Sequence, residues 1–156
     1  MPQANTISAI TPATFQVQFA LAASQAINSN LNAVFIESPG AASKATERVP
    51  PEEVWSLTRL YCEAALTVNL RLGINVDGTA QKMNSDTSVM VITSSTLNPV
   101  NPFAVHMIID SGQEFYFTGN TDAANGTTAI TENIDLDLIR YPVSIAQQLN
   151  AKGIPL

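Results

Sequence analysis

One cysteine, one histidine and few charges leave little for reactive chemistry to work with. Cys62 alone can form no intrachain disulfide. Together with His106 it falls short of an ordinary zinc ligand set. Only 13% of the 156 residues are charged, about half the usual share. Thirteen acids against seven bases give a net charge of −6. The bases Lys44, Arg48, Arg59, Arg71, Lys82, Arg140 and Lys152 are scattered, and no two are adjacent. Binding to a phosphate backbone needs clustered Lys and Arg, so no nucleic-acid partner is expected. No apolar run approaches the ~18 residues of a membrane span, so no membrane partner is expected either. The N-terminus, Met-Pro-Gln-Ala-Asn-Thr, lacks a basic region and an apolar core. It does not read as a Sec signal, and synthesis in a cytoplasm is expected. No Gly-rich loop of Walker or Rossmann form is present.

The polarity that charge does not supply comes from Asn, Thr, Ser and Gln. A neutral polar surface suits a protein packed against other protein, and it equally suits secreted β-proteins. A chain of this length is one ordinary domain. It can bury about two-thirds of its unfolded surface, enough to hold a fold without metal or disulfide.

Period two dominates the pattern. From Leu66 to Val76 every even residue is apolar (Leu66, Val68, Leu70, Leu72, Ile74, Val76) and every odd one is polar or small. Such alternation predicts a half-buried strand, because successive side chains point to opposite faces. Asp77-Gly78 then supplies a turn. Upstream, "VPPEEVWSLTRL" begins with two prolines that cannot join a ladder. Behind them a strand is predicted over Val54 to Glu63, with a bulge or face change near Arg59. Trp55, Leu57 and Tyr61 share one parity there, and a core position is expected for them.

Further alternation marks Phe15 to Leu21, Phe103 to Ile109, Phe115 to Phe117 and Ile130 to Leu138. Short apolar runs at 33–36 and 89–92 add two more strands. Residues 22–31 fit a helical turn or a loop equally, and 41–47 read as a loop. The first dozen residues have no amphipathic period and read as an extended arm. Residues 143–156 read as a short helix with Ser144 as N-cap, stopped by Gly153 and Pro155. Strands recurring every ten to twenty residues between Gly, Pro, Asn and Asp indicate an all-β chain. The expected fold is an antiparallel β-sandwich or jelly roll of about eight strands. The arm spans 1–12, the sandwich 13–142, and the helix and tail 143–156.

Candidate sites are few. Ser-His-Asp or Cys-His catalysis would have to use His106. It sits mid-strand between Val105 and Met107, where a structural role is expected. Cys62 alternates with Leu60 and Ala64 and reads as a small core residue. Asp135 and Asp137 share one strand face about 7 Å apart. With Glu132 or Asp122 they offer a Ca²⁺ ligand set, against a solvated face that discourages edge-to-edge association. Trp55, Tyr61, Tyr116 and Tyr141 would form a sugar-stacking platform only if exposed. Asn125-Gly126-Thr127 matches a glycosylation acceptor but reads as a turn. No catalytic, cofactor-binding or metal residue is therefore assigned, and no enzyme activity is expected.

Three phrases resemble small β-sandwich virion proteins of tailed phages and related viruses. "VPPEEVWSLTRL" is similar to their proline-preceded opening strand and "VNLRLGINVDG" to the strand and turn that follow. "MIIDSGQEFYFTG" is similar to a later turn-and-strand. The resemblance covers roughly residues 49 to 119. It implies a capsid cement (decoration) protein or small coat subunit, located on the virion and made in the host cytoplasm. It also implies that the chain binds a major capsid protein and forms a homo-oligomer, a trimer being favoured. The arm, with the tail "NAKGIPL", is expected to contact another chain. The alternative is a carbohydrate- or receptor-binding β-sandwich of a fibre or spike.

Overall fold

A computed structural model describes residues 7–36, 43–84, 90–92 and 97–156. Within them lie eleven strands and one helix. The strands are β1 (Thr11–Leu21), β2 (Asn30–Asn32), β3 (Val34–Ile36), β4 (Glu47–Arg48), β5 (Glu53–Tyr61) and β6 (Leu70–Val76). There follow β7 (Thr79–Gln81), β8 (Met90–Ile92), β9 (Phe103–Ile109), β10 (Glu114–Thr121) and β11 (Ile130–Pro142), then α1 (Val143–Ala151). The chain is mostly β, in two antiparallel sheets with one short C-terminal helix. The first sheet has the order β3-β1-β11-β5-β9. The second runs β2-β10-β6-β7, with β4 also beside β10 and β8 also beside β6.

The expected alternation governs which side chains go inward. Leu66, Val68, Leu70, Leu72, Ile74 and Val76 are all buried. The strand itself begins only at Leu70. Before that point the Val68 N–H donates to the Glu132 carboxylate at 2.8 Å rather than to a neighbouring strand. Asp77 and Gly78 have φ of 48° and 78°, the two positive values that a two-residue type I′ turn demands. They close the β6–β7 hairpin.

Strand β5 carries the irregularity expected near Arg59. Leu57 pairs with Leu138 and Arg59 with Asp137, so Thr58 is the extra residue. Its hydroxyl donates to the Asp137 carbonyl at 3.0 Å. One added residue reverses the facing of everything after it. Trp55 and Leu57 point inward before the bulge; Leu60 and Cys62 do so after it. Tyr61 is therefore turned away from the core, contrary to the expectation that it shares the facing of Trp55 and Leu57.

Aromatic rings join the two sheets. Phe15 of β1 stacks on Trp55 of β5 with centroids 5.4 Å apart. Phe115 of β10 meets Trp55 edge-on at 6.0 Å and Phe35 of β3 at 5.4 Å. Gly119 of β10 lies under the ring of Phe19 from β1. A Cβ there would stand 2.8 Å from Cε1 of that fully buried ring.

Residues 22–29 form turns, with Ser24 and Asn28 at positive φ. They are tied to the loop after β10: Ser24 N–H donates to Gly126 O at 2.7 Å and Asn125 N–H to Gln25 O at 2.9 Å. The Asn125 side chain is buried and donates to Ala22 O and Thr128 O. It is held inside rather than presented as a glycosylation acceptor.

The helix begins two residues earlier than the expected Ser144 cap would place it. Pro142 is its N-cap, without a side-chain cap, and the Val143 N–H donates to Glu52 O at 3.0 Å. Its end is a Schellman motif: Ile154 N–H donates to Leu149 O, Gly153 N–H to Asn150 O, and Gly153 has φ 71°. Ala146 packs on Val54 and Tyr141 on the outer surface of the first sheet, and Leu156 joins that cluster. The tail expected to reach another chain thus lays its last residue on its own domain. Of the arm, residues 1–6 lie outside the described residues. Thr11 and Pro12 are the first residues of β1, paired with Arg140 and Ile139. Val89 of the run at 89–92 also lies outside them.

These facings make a ranked prediction for urea denaturation. Leu72→Ala should cost ~2–5 kcal/mol, whereas Arg71→Ala, facing out one residue away, should stay within ~0.5 kcal/mol. Gly119→Ala should cost ~1–3 kcal/mol, because the Phe19 ring has no free space to retreat into. A larger loss for Arg71→Ala than for Leu72→Ala would refute the facing assigned to β6.

Candidate functional site

The most buried charge belongs to Glu53, the first residue of β5. It shares the inward facing of Trp55 and Leu57, and its side chain is fully buried. Both carboxylate oxygens are used. Oε2 accepts from Trp55 Nε1 at 2.6 Å and from Arg140 Nε at 2.8 Å, and Oε1 pairs with Arg140 Nη2. The Arg140 guanidinium also lies 5.9 Å from the Trp55 ring centre. Burial pushes the Glu53 carboxyl up, but the hydrogen bonds from Arg140 and Trp55 and the Arg140 charge bring it net below its ordinary range. This cluster seals one end of the sandwich. Its signal in the sequence was the parity of Glu53 with Trp55, which sequence reasoning passed over.

The carboxylates considered for Ca²⁺ do not converge. Glu132 faces inward on β11 with Ile134 and Leu136, and binds the Val68 N–H. Asp135 and Asp137 occupy the opposite face. Asp122 lies past the end of β10, its N–H donating to Asn69 O. Among the described residues no three His, Cys, Asp or Glu side chains group as metal ligands. Asp137 instead ties three strands together: Thr14 of β1 donates to Oδ1 at 2.6 Å, and Arg59 of β5 pairs with Oδ2. Tyr61 stands beside them, its hydroxyl 3.5 Å from Oδ1 and its ring 5.2 Å from the Arg59 guanidinium. Asp135, buried on the same face, is raised by burial and by the charges of Glu63 and Asp137.

Cys62 is buried, and its thiol is pushed up to about 11 by burial and by Asp135 and Glu132. It is protonated at neutral pH and a poor nucleophile. His106 lies on the outward face of β9 between Ala104 and Ile108, all three exposed. Its backbone N–H donates to Met83 O at 2.7 Å, and its ring has no hydrogen-bond partner among the described residues. Among the described residues no nucleophile–base–orienter chain is assembled around it.

The four aromatics of the expected platform are dispersed. Trp55 and Tyr141 are buried, Trp55 between the sheets and Tyr141 under the helix. Tyr61 is half-buried on the outer face of the first sheet. Tyr116 is half-buried on the outer face of the second, where it lines a hollow of about 510 Å³. Neighbours across the strands there are Asn32, Thr118 and Gly73 in one row, and Tyr116, Asn75 and Ala80 in the next. Small residues at Gly73 and Ala80 leave the space. None of the described residues lining the hollow is charged. Sequence reasoning singled out Tyr116 but missed Asn32, Asn75 and Thr118, which come together only through the strand pairing.

The chain matches no known protein-family model and no curated protein. No described helix is long and apolar enough to cross a membrane.

Glu53 and Asp135 should leave opposite marks on stability in acid. With its folded value depressed, Glu53 stabilises the fold above the ordinary carboxylate range, and this is lost as pH falls through the folded value. Asp135 has a raised folded value. Its proton favours the native state at acid pH, and that contribution is lost as pH rises from the ordinary value through the folded one. Denaturation from about pH 3 to pH 7 should show Glu53→Gln losing ~3 kcal/mol at neutral pH and much less in acid. Asp135→Asn should instead gain on the wild type as pH rises. Parallel curves for all three proteins would refute both assignments.

Proposed function

We propose that the chain is a non-enzymatic structural protein of a virus particle, a capsid cement subunit that binds the major capsid protein. The observation that carries this is the nesting of strand pairs. Strands β2 and β4 share one side of β10, and β7 and β8 share one side of β6, so the described strands can be grouped into eight main positions with β3 as an extra. The first position pairs with the last (β1–β11), the second with the seventh (β2/β4–β10), the third with the sixth (β5–β9), the fourth with the fifth (β6–β7/β8). Successive pairs fall in alternate sheets. A long hairpin wrapped on itself has this order, which supports a jelly roll, the architecture of many capsid and lectin domains. Low surface charge and the use of Glu53, Asp137 and Asn125 for internal bonding agree with a structural rather than a reactive role.

The subunit works by adding contacts across the shell, as a homo-oligomer with a trimer favoured, on the virion surface and without a nucleic-acid or membrane partner. For the fibre or spike alternative the four rings are dispersed, with Tyr61 and Tyr116 half-buried on opposite outer faces.

Sedimentation with purified capsid shells tests the proposal. The protein should pellet with shells at a fixed, saturating copy number and raise their resistance to heat. Deleting residues 2–9, which spares the β1 ladder from Thr11, should leave the fold intact and lower that copy number or the oligomeric state. Protein that stays in the supernatant at every shell concentration would overturn the cement assignment.

A further inference from the structure

The hollow around Tyr116 brings together polar side chains that have no partners among the described residues. Asn32, Thr46, Asn75, Tyr116 and Thr118 line it, and none of their side chains has a hydrogen-bond partner among the described residues. The contrast with the first sheet is direct. On its outer face Thr14, Arg59 and Tyr61 are spent on Asp137, and Gln18 donates to Asn133 at 3.0 Å. Within the second sheet Asn120 is likewise satisfied by Asn28 O and Asn30 Oδ1. The hollow thus gathers five unpartnered polar side chains on one surface.

Spacing and chemistry select the ligand. Facing residues on neighbouring strands stand about 4.8 Å apart and the two rows about 7 Å apart. Two amides offer both donors and acceptors, and two threonine hydroxyls and a phenol add to them. The Tyr116 ring offers an apolar face, and Gly73 and Ala80 give room beside it. No charged residue stands among the described lining to compensate a ligand's charge. A ligand with many hydroxyls, an apolar ring face and no charge matches all of these features.

We infer that the Tyr116 hollow, on the outer face of the second sheet, is a binding site for a neutral oligosaccharide. The ring of one sugar stacks on Tyr116, while Asn32, Asn75 and Thr118 exchange hydrogen bonds with its hydroxyls. The site goes beyond the shell-binding role and does not depend on it: sugar binding is measured on the isolated protein, shell binding by sedimentation.

Backbone amide NMR on the full chain tests this, with maltohexaose, cellohexaose and chitohexaose as neutral probes and hexagalacturonate as the charged control. A shallow site with one ring should bind with Kd of about 1 mM. At least one neutral probe should shift the amides of Thr46, Asn75, Tyr116 and Thr118 saturably, and hexagalacturonate should not. Tyr116→Ala should weaken binding about tenfold, Tyr116→Phe should retain most of it, and Thr14→Ala on the opposite face should change nothing. Should Tyr116→Ala fail to fold, Asn75→Ala replaces it, with a loss of about fivefold. The inference is overturned if no neutral probe gives saturable shifts by about 10 mM, tenfold above the expected Kd. Shifts centred elsewhere, insensitivity to both variants, or equal binding of hexagalacturonate would overturn it as well.

Discussion

Everything in this fold is placed by the contact of rings from two sheets. Phe15 and Trp55 stack within the first sheet, and Phe115 from the second meets Trp55 and Phe35 edge-on. Each buried ring contributes both area and a preferred angle. Rings on different strands can meet only if every strand keeps its register, because a one-residue slip sends a ring to solvent. The cluster therefore fixes three things together: the separation of the sheets, the pairing of β11 with both β1 and β5, and the need for a glycine at 119 opposite Phe19. Glu53 depends on it too. Its hydrogen bond to Trp55 and its pair with Arg140 lie beside a ring that is buried and packed against Phe15 and Phe115.

The bulge at Thr58 follows from the same constraint. Trp55 must face inward to meet Phe15, and Leu60 and Cys62 must face inward to fill the other end of the core. Those positions have opposite parity, so an uninterrupted strand cannot satisfy both. One inserted residue resolves the conflict and turns Arg59 and Tyr61 outward. There they find Asp137, and the outer face gains a cross-strand link as a by-product of packing the inner one.

What the sequence made legible is what depends on a single strand. Alternation identified the inward residues of β1, β6, β9, β10 and β11, and Asp77-Gly78 announced its turn. The irregularity near Arg59 was legible as well, though not its consequence for Tyr61, since facing after a bulge depends on which residue is extra. Leu66 to Asn69 misled in another way: their side chains alternate, but the backbone of Val68 is captured by Glu132 from a distant strand. Two-strand and four-strand features were not legible. The Glu53–Arg140 pair needs β5 beside β11, and the Tyr116 hollow needs β2, β10, β6 and β7 in their order. Its strongest sequence trace was Gly73, a small residue in an otherwise regular strand, which marks room on one face without saying what stands around it.

A protein meant to associate through chosen surfaces must not associate through its strand edges. The exposed edge of the first sheet is β9, seven residues long. Residues Met83 and Asn84 lie along it: Met83 O accepts the His106 N–H at 2.7 Å, and Asn84 Nδ2 donates to Ala104 O at 3.0 Å. The ladder is thereby occupied at its middle, where an incoming strand would have to begin pairing. At the opposite edge, Phe35 of β3 exchanges backbone hydrogen bonds with Lys44, at 2.7 and 3.1 Å. With these edges blunted, what remains for recognition is the pattern of side chains on the outer faces. Polar groups already bonded within the chain gain little from a partner, because the exchange returns no new hydrogen bond. By that criterion the two outer faces are unequal. The first spends Thr14, Arg59 and Tyr61 on Asp137 and carries the packed helix and tail, leaving His106 exposed on β9, whereas the second keeps amides, hydroxyls and a ring unspent around Tyr116.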